Sequence, residues 1–268
     1  MIQTVVVSLD GSPLSETALA PARWLASNLD ADLHLVLATL EPDLAPEEAY
    51  LAARQAEMGI DRVSSFVLPH VFPAPGIVDH LSGAADPLLC MATHGHSGLS
   101  AIVLGSVAEL VVRDAPCPVV LVGPRSEAMA LEPGPLVWCS DGSATSRTAL
   151  PLAVTLASVL AVAAHIVTVR SPEDDDYGLA VDAARQAHLD ELGASFREAG
   201  VPATISVLDA PEPAPAITEL AASVGASMIV TATHGHGGLR EGAIGRVASR
   251  IVQHSACPVV VRRPLDGE

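Results

Sequence analysis

Apolar residues along this chain fall into short continuous runs, separated by longer stretches in which they recur every three or four positions. The runs VVVSL, LHLVLA and PLLCMA are unbroken rather than alternating, the mark of strands buried on both faces. The pattern predicts strand 4–9, helix 13–28, strand 33–39, helix 45–62, strand 64–69, helix 74–84, strand 87–92, helix 99–113 and strand 118–122. Strands alternating with helices imply right-handed crossovers and a mostly parallel sheet flanked by helices, an α/β fold. The first helix carries clear start signals: Ser12 as N-cap, Pro13 at the first helical position and Glu16 near the positive end of the dipole. Leu14, Ala18, Ala22, Leu25 and Leu29 recur at helical spacing and are expected to face the sheet.

The pattern then repeats. VVVSLDGSPLSETALAPARWLA near the start matches LVWCSDGSATSRTALPLAVTLA, which places Asp10, Gly11 and Ser12 on Asp141, Gly142 and Ser143. Further on, the segment 92–122 beginning ATHGH matches the segment 232–262 with the same opening. The offset grows between the two blocks, so the second copy holds about nine extra residues, assigned to the acidic stretch SPEDDDYGL at 171–179. The Pro- and Gly-bearing segment between the copies reads as a linker. The organisation expected is therefore domain 1 over residues 1–124, linker 125–134 and domain 2 over 135–268. Duplication accounts for a length of 268 residues, more than one core usually serves.

Composition narrows the function. Only 3% of residues are aromatic against 50% apolar, so the cores are built of Ala, Val, Leu and Ile. No apolar run reaches the ~18 residues of a membrane helix and the first residues enter a strand directly, so a cytoplasmic protein without a membrane partner is expected. Cys90, Cys117, Cys139 and Cys257 stand singly, without CxxC spacing, and are expected as buried reduced thiols rather than zinc ligands. The formal charge is −17 and every basic residue other than histidine is arginine, which disfavours a nucleic-acid partner. The same field repels a free nucleotide, so a nucleotide site here must rest on local backbone donors.

Two strand-to-helix turns in each copy lie where an open α/β sheet binds ligands, beyond the carboxyl ends of its strands. The first is Leu9-Asp10-Gly11-Ser12, with Ser140-Asp141-Gly142-Ser143; the second is Thr93-His94-Gly95-His96-Ser97-Gly98, with Thr233-His234-Gly235-His236-Gly237-Gly238. A glycine-rich turn feeding a helix exposes unpaired amides and a partial positive charge, a means of holding phosphate without lysine. Gly105 and Ser106 would bring a second set of amides and a hydroxyl. The Asp-Gly-Ser turn is equally an Asx turn with a helix cap that needs no ligand. The His pairs lack a third ligand at fixed spacing, so no metal is assigned to them. No catalytic set emerges: there is no Gly-x-Ser-x-Gly elbow, no lysine and no paired carboxylates at a strand end.

These residues resemble the universal stress protein family over nearly the whole of both halves. The resemblance rests on the first-strand Asp-Gly-Ser, the Thr-His-Gly turn, the Gly-Ser that follows it after nine intervening residues, and the closing Ala-Pro-Cys-Pro-Val-Val at 115–120, which returns as Ala-Cys-Pro-Val-Val at 256–260. It implies two tandem open parallel five-stranded sheets of the adenine nucleotide alpha hydrolase-like kind, with strand order 3-2-1-4-5. It also implies pairing through the last strands, here between the two domains, with a further homodimer open. ATP-binding members carry Gly, two residues, Gly, nine residues, Gly, then Ser or Thr. That pattern falls on Ala92, Gly95, Gly105 and Ser106, followed by Val107, and on Ala232, Gly235, Gly245 and Arg246, followed by Val247.

By the same resemblance Asp10 and Asp141 face the nucleoside, the backbone of Ala38 and Val169 lies by the adenine, and the glycine turns hold the phosphates of ATP, ADP or AMP, with Mg²⁺ or Mn²⁺ an unsurprising companion. Three positions depart from the family pattern. Alanine replaces the first glycine in both copies. Ser8 and Cys139 stand where a proline is usual. Arg246 stands where a phosphate-binding hydroxyl is expected, and either pairs with a phosphate or fills the site itself. The function implied is adenine-nucleotide binding in a stress-response or signalling role, with at most slow ATP hydrolysis. The alternatives are an interaction scaffold with degenerate sites and, by analogy of fold alone, an adenylating or hydrolysing enzyme.

Overall fold

The computed structural model describes residues 1–94, 104–126, 134–170, 189–233 and 244–264. The chain divides into two compact units, the first built on Met1–Pro124 and the second on most of the remainder.

In the first unit β1 (Thr4–Leu9) lies between β2 (Asp32–Thr39) and β4 (Pro87–Ala92), with parallel registers running from Thr4↔Asp32 and Thr4↔Pro87 to Leu9↔Leu37 and Ser8↔Met91. β3 (Val63–Pro69) adds outside β2 and β5 (Val119–Val122) outside β4, so the order is β3-β2-β1-β4-β5. The helices are α1 (Pro13–Glu16), α2 (Leu19–Leu29), α3 (Ala45–Met58), α4 (Pro73–Gly83) and α5 (Ser106–Asp114). Strand alternation shows that they cover both faces. Thr39 of β2 donates to Glu47 of α3, whereas His34, of opposite parity on the same strand, meets His80 of α4. Both faces of the central strands are therefore closed to water, and Val5, Val6, Val7, Leu88, Leu89 and Cys90 are fully buried.

The second unit repeats this with β6 (Leu136–Cys139), β7 (Ala164–Arg170), β8 (Ala203–Asp209), β9 (Met228–Ala232) and β10 (Val259–Arg262). β6 pairs with β7 and β9, β7 with β8, and β9 with β10, all parallel, which is the same 3-2-1-4-5 order. Its helices are α6 (Ala144–Arg147), α7 (Leu150–Val159), α8 (residues 189–198), α9 (Pro213–Ser223) and α10 (Arg246–His254). Trp138 on β6 is wholly buried against Phe196 of α8, ring centroids 6.1 Å apart, while Trp24 on α2 of the first unit is half-buried. The acidic stretch 171–179 and most of the linker lie outside the described residues. Among the described residues no helix is long and apolar enough to cross a membrane.

Three helix expectations need correction. The helix expected over 13–28 is two helices, broken at Thr17 and Ala18, and α6 and α7 break at the equivalent place. Pro21 has no N–H to give the Thr17 carbonyl and Pro151 none to give Arg147, so a continuous helix would lose a rung there. The Thr17 and Thr148 hydroxyls turn back instead onto the carbonyls of Leu14 and Thr145, at 2.6 and 2.7 Å. The break changes the helical phase, which leaves Leu14 44% exposed while Ala18, Ala22, Leu25 and Leu29 face the sheet as expected. The helix expected over 45–62 stops at Met58, where Gly59 takes the left-handed conformation, φ 64°. Of the helix expected over 99–113, residues 99–103 lie outside the described residues, and α5 begins at Ser106, because Gly105 is extended and its N–H is tied to the Thr93 carbonyl at 2.8 Å.

The four cysteines are free, with Cys90 and Cys139 buried but Cys117 and Cys257 only partly so. Burial raises all four thiols, Cys117 to about 12. On the α4 face of the sheet, His34 Nδ1 lies 3.1 Å from His80 Nε2, with Phe66 against both rings. Burial holds both imidazoles below the ordinary value, helped at His80 by its neighbour and opposed by Asp32 and Asp79. The unfolded chain therefore takes up these protons first, so their contribution to stability is whole above the unfolded value, near about 6.5, and is lost as pH falls below it. Urea midpoints by circular dichroism are expected to drop between about pH 7.5 and about pH 5.5, and to drop less in a His34→Gln, His80→Gln double variant. Equal drops in both proteins would refute this assignment.

Candidate functional site

The sheet order reverses at β1: the chain moves to β2 on one side and later to β4 on the other, which opens a crevice between the carboxyl ends of β1 and β4. In the first unit this crevice is a cleft of about 270 Å³. Ser8 and Asp10 line it from the end of β1, Ala38 from β2, and Ala92 and His94 from β4. Gly105, Ser106 and Val107 line it from the start of α5. These eight positions, spread over nearly 100 residues of sequence, are thus brought into one wall-to-wall contact surface. Gly11 and Ser12 form the turn beside it, while Gly95 and His96 lie outside the described residues.

The Asp10 turn is built by its own side chains. Gly11 has φ 82°, a conformation costly for residues with a Cβ. Asp10 Oδ1 accepts from the Ser12 amide at 2.9 Å and from the Ser12 hydroxyl at 2.6 Å, and Ser12 Oγ in turn accepts the Ser15 amide at 3.1 Å, capping α1. The Asx turn and cap offered by the sequence are therefore real, and they hold the aspartate at the cleft edge.

The opposite wall is the start of α5. Gly105 is its N-cap and supplies no side-chain cap; the first intrahelical bond is Glu109 N–H to the Gly105 carbonyl, 2.9 Å. The amides of Ser106, Val107 and Ala108 therefore have no intrahelical acceptor, and all three residues line the cleft. A Cβ on Gly105 would stand 3.2 Å from the Thr93 carbonyl, so glycine lets the helix start pack directly on the end of β4. Beyond the strand, Thr93 Oγ1 lies 2.9 Å from His94 Nδ1. Donors with the positive end of a helix dipole on one side, and the apolar surface of Leu9, Ile77 and Met91 on the other, suit a ligand with an anionic and a flat apolar part.

Sequence reasoning missed Pro73 and Ile77, which belong to α4 and reach the cleft only because β2 and α4 pack together. It also missed Ser15, Met91 and Ala108. For Pro73 and Ile77 a signal existed in the repeat, since PAPGI at 73–77 returns as PAPAI at 213–217.

The second unit keeps the frame and changes the lining. Asp141 Oδ1 accepts the Ser143 amide at 3.0 Å, Ser143 Oγ the Ser146 amide at 2.9 Å, and Gly142 has φ 80°. Ser140 replaces Leu9 and its hydroxyl lies 3.1 Å from that of Ser146, so a polar group sits where the first copy is apolar. Gly245 bonds the Thr233 carbonyl at 2.7 Å, as Gly105 bonds Thr93. Val169 is the last residue but one of β7, Ala232 ends β9, and Arg246 and Val247 open α10, both exposed. His234, Gly235 and His236 lie outside the described residues. Among the described residues no three His, Cys, Asp or Glu side chains converge as a metal site.

The profile of the Universal stress protein family matches residues 1–123 and 135–263. The chain belongs to that family, as a tandem of two such domains. A universal stress protein of Mycobacterium tuberculosis is 29% identical over 97% of this chain and 96% of its own length. A crystal structure of a universal stress protein from Archaeoglobus fulgidus superposes with a TM-score of 0.71 at 18% identity, covering 97% of this chain and 98% of its own. A universal stress protein solved in complex with cAMP is 30% identical over 45% of this chain and 96% of its own, with a TM-score of 0.39.

The cap makes a direct prediction: Ser12→Ala removes the acceptor for the Ser15 amide and is expected to cost about 0.5–2 kcal/mol of stability in urea titration. A Ser12→Ala protein as stable as the wild type would show that Asp10 and Ser15 hold the turn unaided.

Proposed function

We propose that the first domain binds an adenine nucleotide, ATP or ADP, and holds it without rapid turnover. One observation carries this reading: a single cleft joins three amides without intrahelical acceptors at the start of α5 to an apolar wall and a buttressed aspartate. The amides and helix dipole supply a phosphate subsite in a cleft whose described lining holds neither lysine nor arginine. Asp10, with its carboxylate fixed by Ser12, is placed to accept hydrogen bonds from a ribose. A flat base would lie against Ala38 and Ile77. Holding rather than transforming is supported by the described lining residues, among which Asp10 is bound up in its own turn and no second carboxylate stands beside it to share acid–base work.

The second domain favours a different outcome. Arg246 stands where Ser106 offers a hydroxyl, and Ser140 stands where Leu9 offers an apolar wall. These differences support one nucleotide per chain, with the second site serving as scaffold.

Freshly purified protein, denatured and analysed by chromatography, is expected to release about one equivalent of adenine nucleotide, or to take it up in calorimetry. Gly105→Val, which places a branched side chain against the Thr93 carbonyl and over the α5 amides, is expected to weaken ATP binding by about tenfold or more, roughly 1.4 kcal/mol, at an unchanged circular dichroism spectrum. No released nucleotide and no heat with ATP would leave the scaffold reading in its place.

A further inference from the structure

The two copies start their fourth helices with nearly the same words, Phe72-Pro73-Ala74-Pro75 and Glu212-Pro213-Ala214-Pro215, and differ at the cap. In the second unit Glu212 reaches from the start of α9 to Arg250 on α10, 2.8 Å away, and so ties together the two helices that wall that crevice. The positions that correspond in the first unit are Phe72 and Leu110, on α4 and α5. Both are exposed, 68% and 38%, and Phe72 makes no ring contact among the described residues. The Glu212–Arg250 contact shows that these two positions face each other in the second unit, so in the first a pair of exposed apolar residues takes the place of the ion pair. These stand next to the cleft: Pro73 follows Phe72 and lines it, as do Ser106 and Val107, one turn before Leu110 on α5.

We infer that Phe72 and Leu110 form an apolar lip that extends the wall of Ala38 and Ile77 outward over the nucleobase of a nucleotide held in the first-domain cleft, where the second copy carries the Glu212–Arg250 ion pair instead. The inference rests on the nucleotide reading above and adds to it the element that makes the site prefer a ligand with a flat base. One of only three phenylalanines in the chain is spent at this exposed place. An aromatic face accepts any base by stacking, and the backbone that presents it is fixed: the Phe72 carbonyl accepts the Gly76 amide at 3.0 Å and Pro73 restricts the first helical position. In the second copy the same place is charged and internally paired, an exposed ion pair rather than an aromatic face.

The test uses the full chain with AMP and, as a baseless probe, ribose 5-phosphate. Phe72 is exposed, so its substitution is expected to leave the fold intact. Phe72→Ser is expected to weaken AMP roughly five- to a hundredfold and ribose 5-phosphate less than about twofold. Phe72→Trp is expected to restore AMP binding and to show indole emission quenched by AMP. The double variant Phe72→Glu, Leu110→Arg, which installs the second copy's own ion pair, is expected to lose AMP as Phe72→Ser does. Unchanged AMP affinity in Phe72→Ser, equal weakening of both probes, or failure of Trp to restore would each overturn the lip while leaving the nucleotide reading standing. A wild-type protein that binds neither probe would overturn both.

Discussion

Everything at the candidate site depends on one constraint of parallel sheets: each crossover must return the chain to the same edge before it can add a strand. Because β2 adds on one side of β1 and β4 on the other, the helices that follow them leave on diverging paths, and among the described residues a crevice opens between the carboxyl ends of β1 and β4. The cleft is a by-product of strand order rather than of any particular side chain. What the residues decide is its lining, and the lining is where the two copies differ. β1 and β6 share register and burial, yet Leu9 and Ser140 give their crevices different chemistry.

The energetics follow the same division. The sheets are held by complete burial of aliphatic strands on both faces, a non-directional contribution that tolerates exchange of one aliphatic for another. The turns are held by short directional bonds: an Asx turn, a serine cap and a left-handed glycine in each copy. Those bonds leave the Asp10 carboxylate at the cleft edge with its geometry set in advance, so a ligand meeting it need not pay to order it. The start of α5 works in the opposite sense, because Gly105 caps nothing and leaves its helix amides to whatever occupies the cleft.

Much of this could be read from the residues because the signals are local. Continuous aliphatic runs gave the strands, the repeat gave the two domains, and Ser12 with Pro13 gave the helix start. What could not be read depends on bonds that are lost or on neighbours far along the chain. The break after α1 comes from Pro21, whose missing N–H acts four residues upstream, and periodicity alone carried Leu14 onto the wrong face. α5 starts at Ser106 because Gly105 is drawn back onto the Thr93 carbonyl, a contact that no local pattern announces. Ile77 enters the cleft through packing of α4 on β2, and the contact of His34 with His80 spans 46 residues; neither has a spacing to find.

The placement of the two tryptophans has a spectroscopic consequence. Each unit holds one indole, and their surroundings differ: Trp138 is sealed in the core of the second unit beside Phe196, whereas Trp24 is half-buried on α2 of the first. A chain that repeats its fold thus carries two unlike intrinsic emitters, one for each domain. Removing either indole would let the melting of each domain be followed in its own colour within the intact tandem.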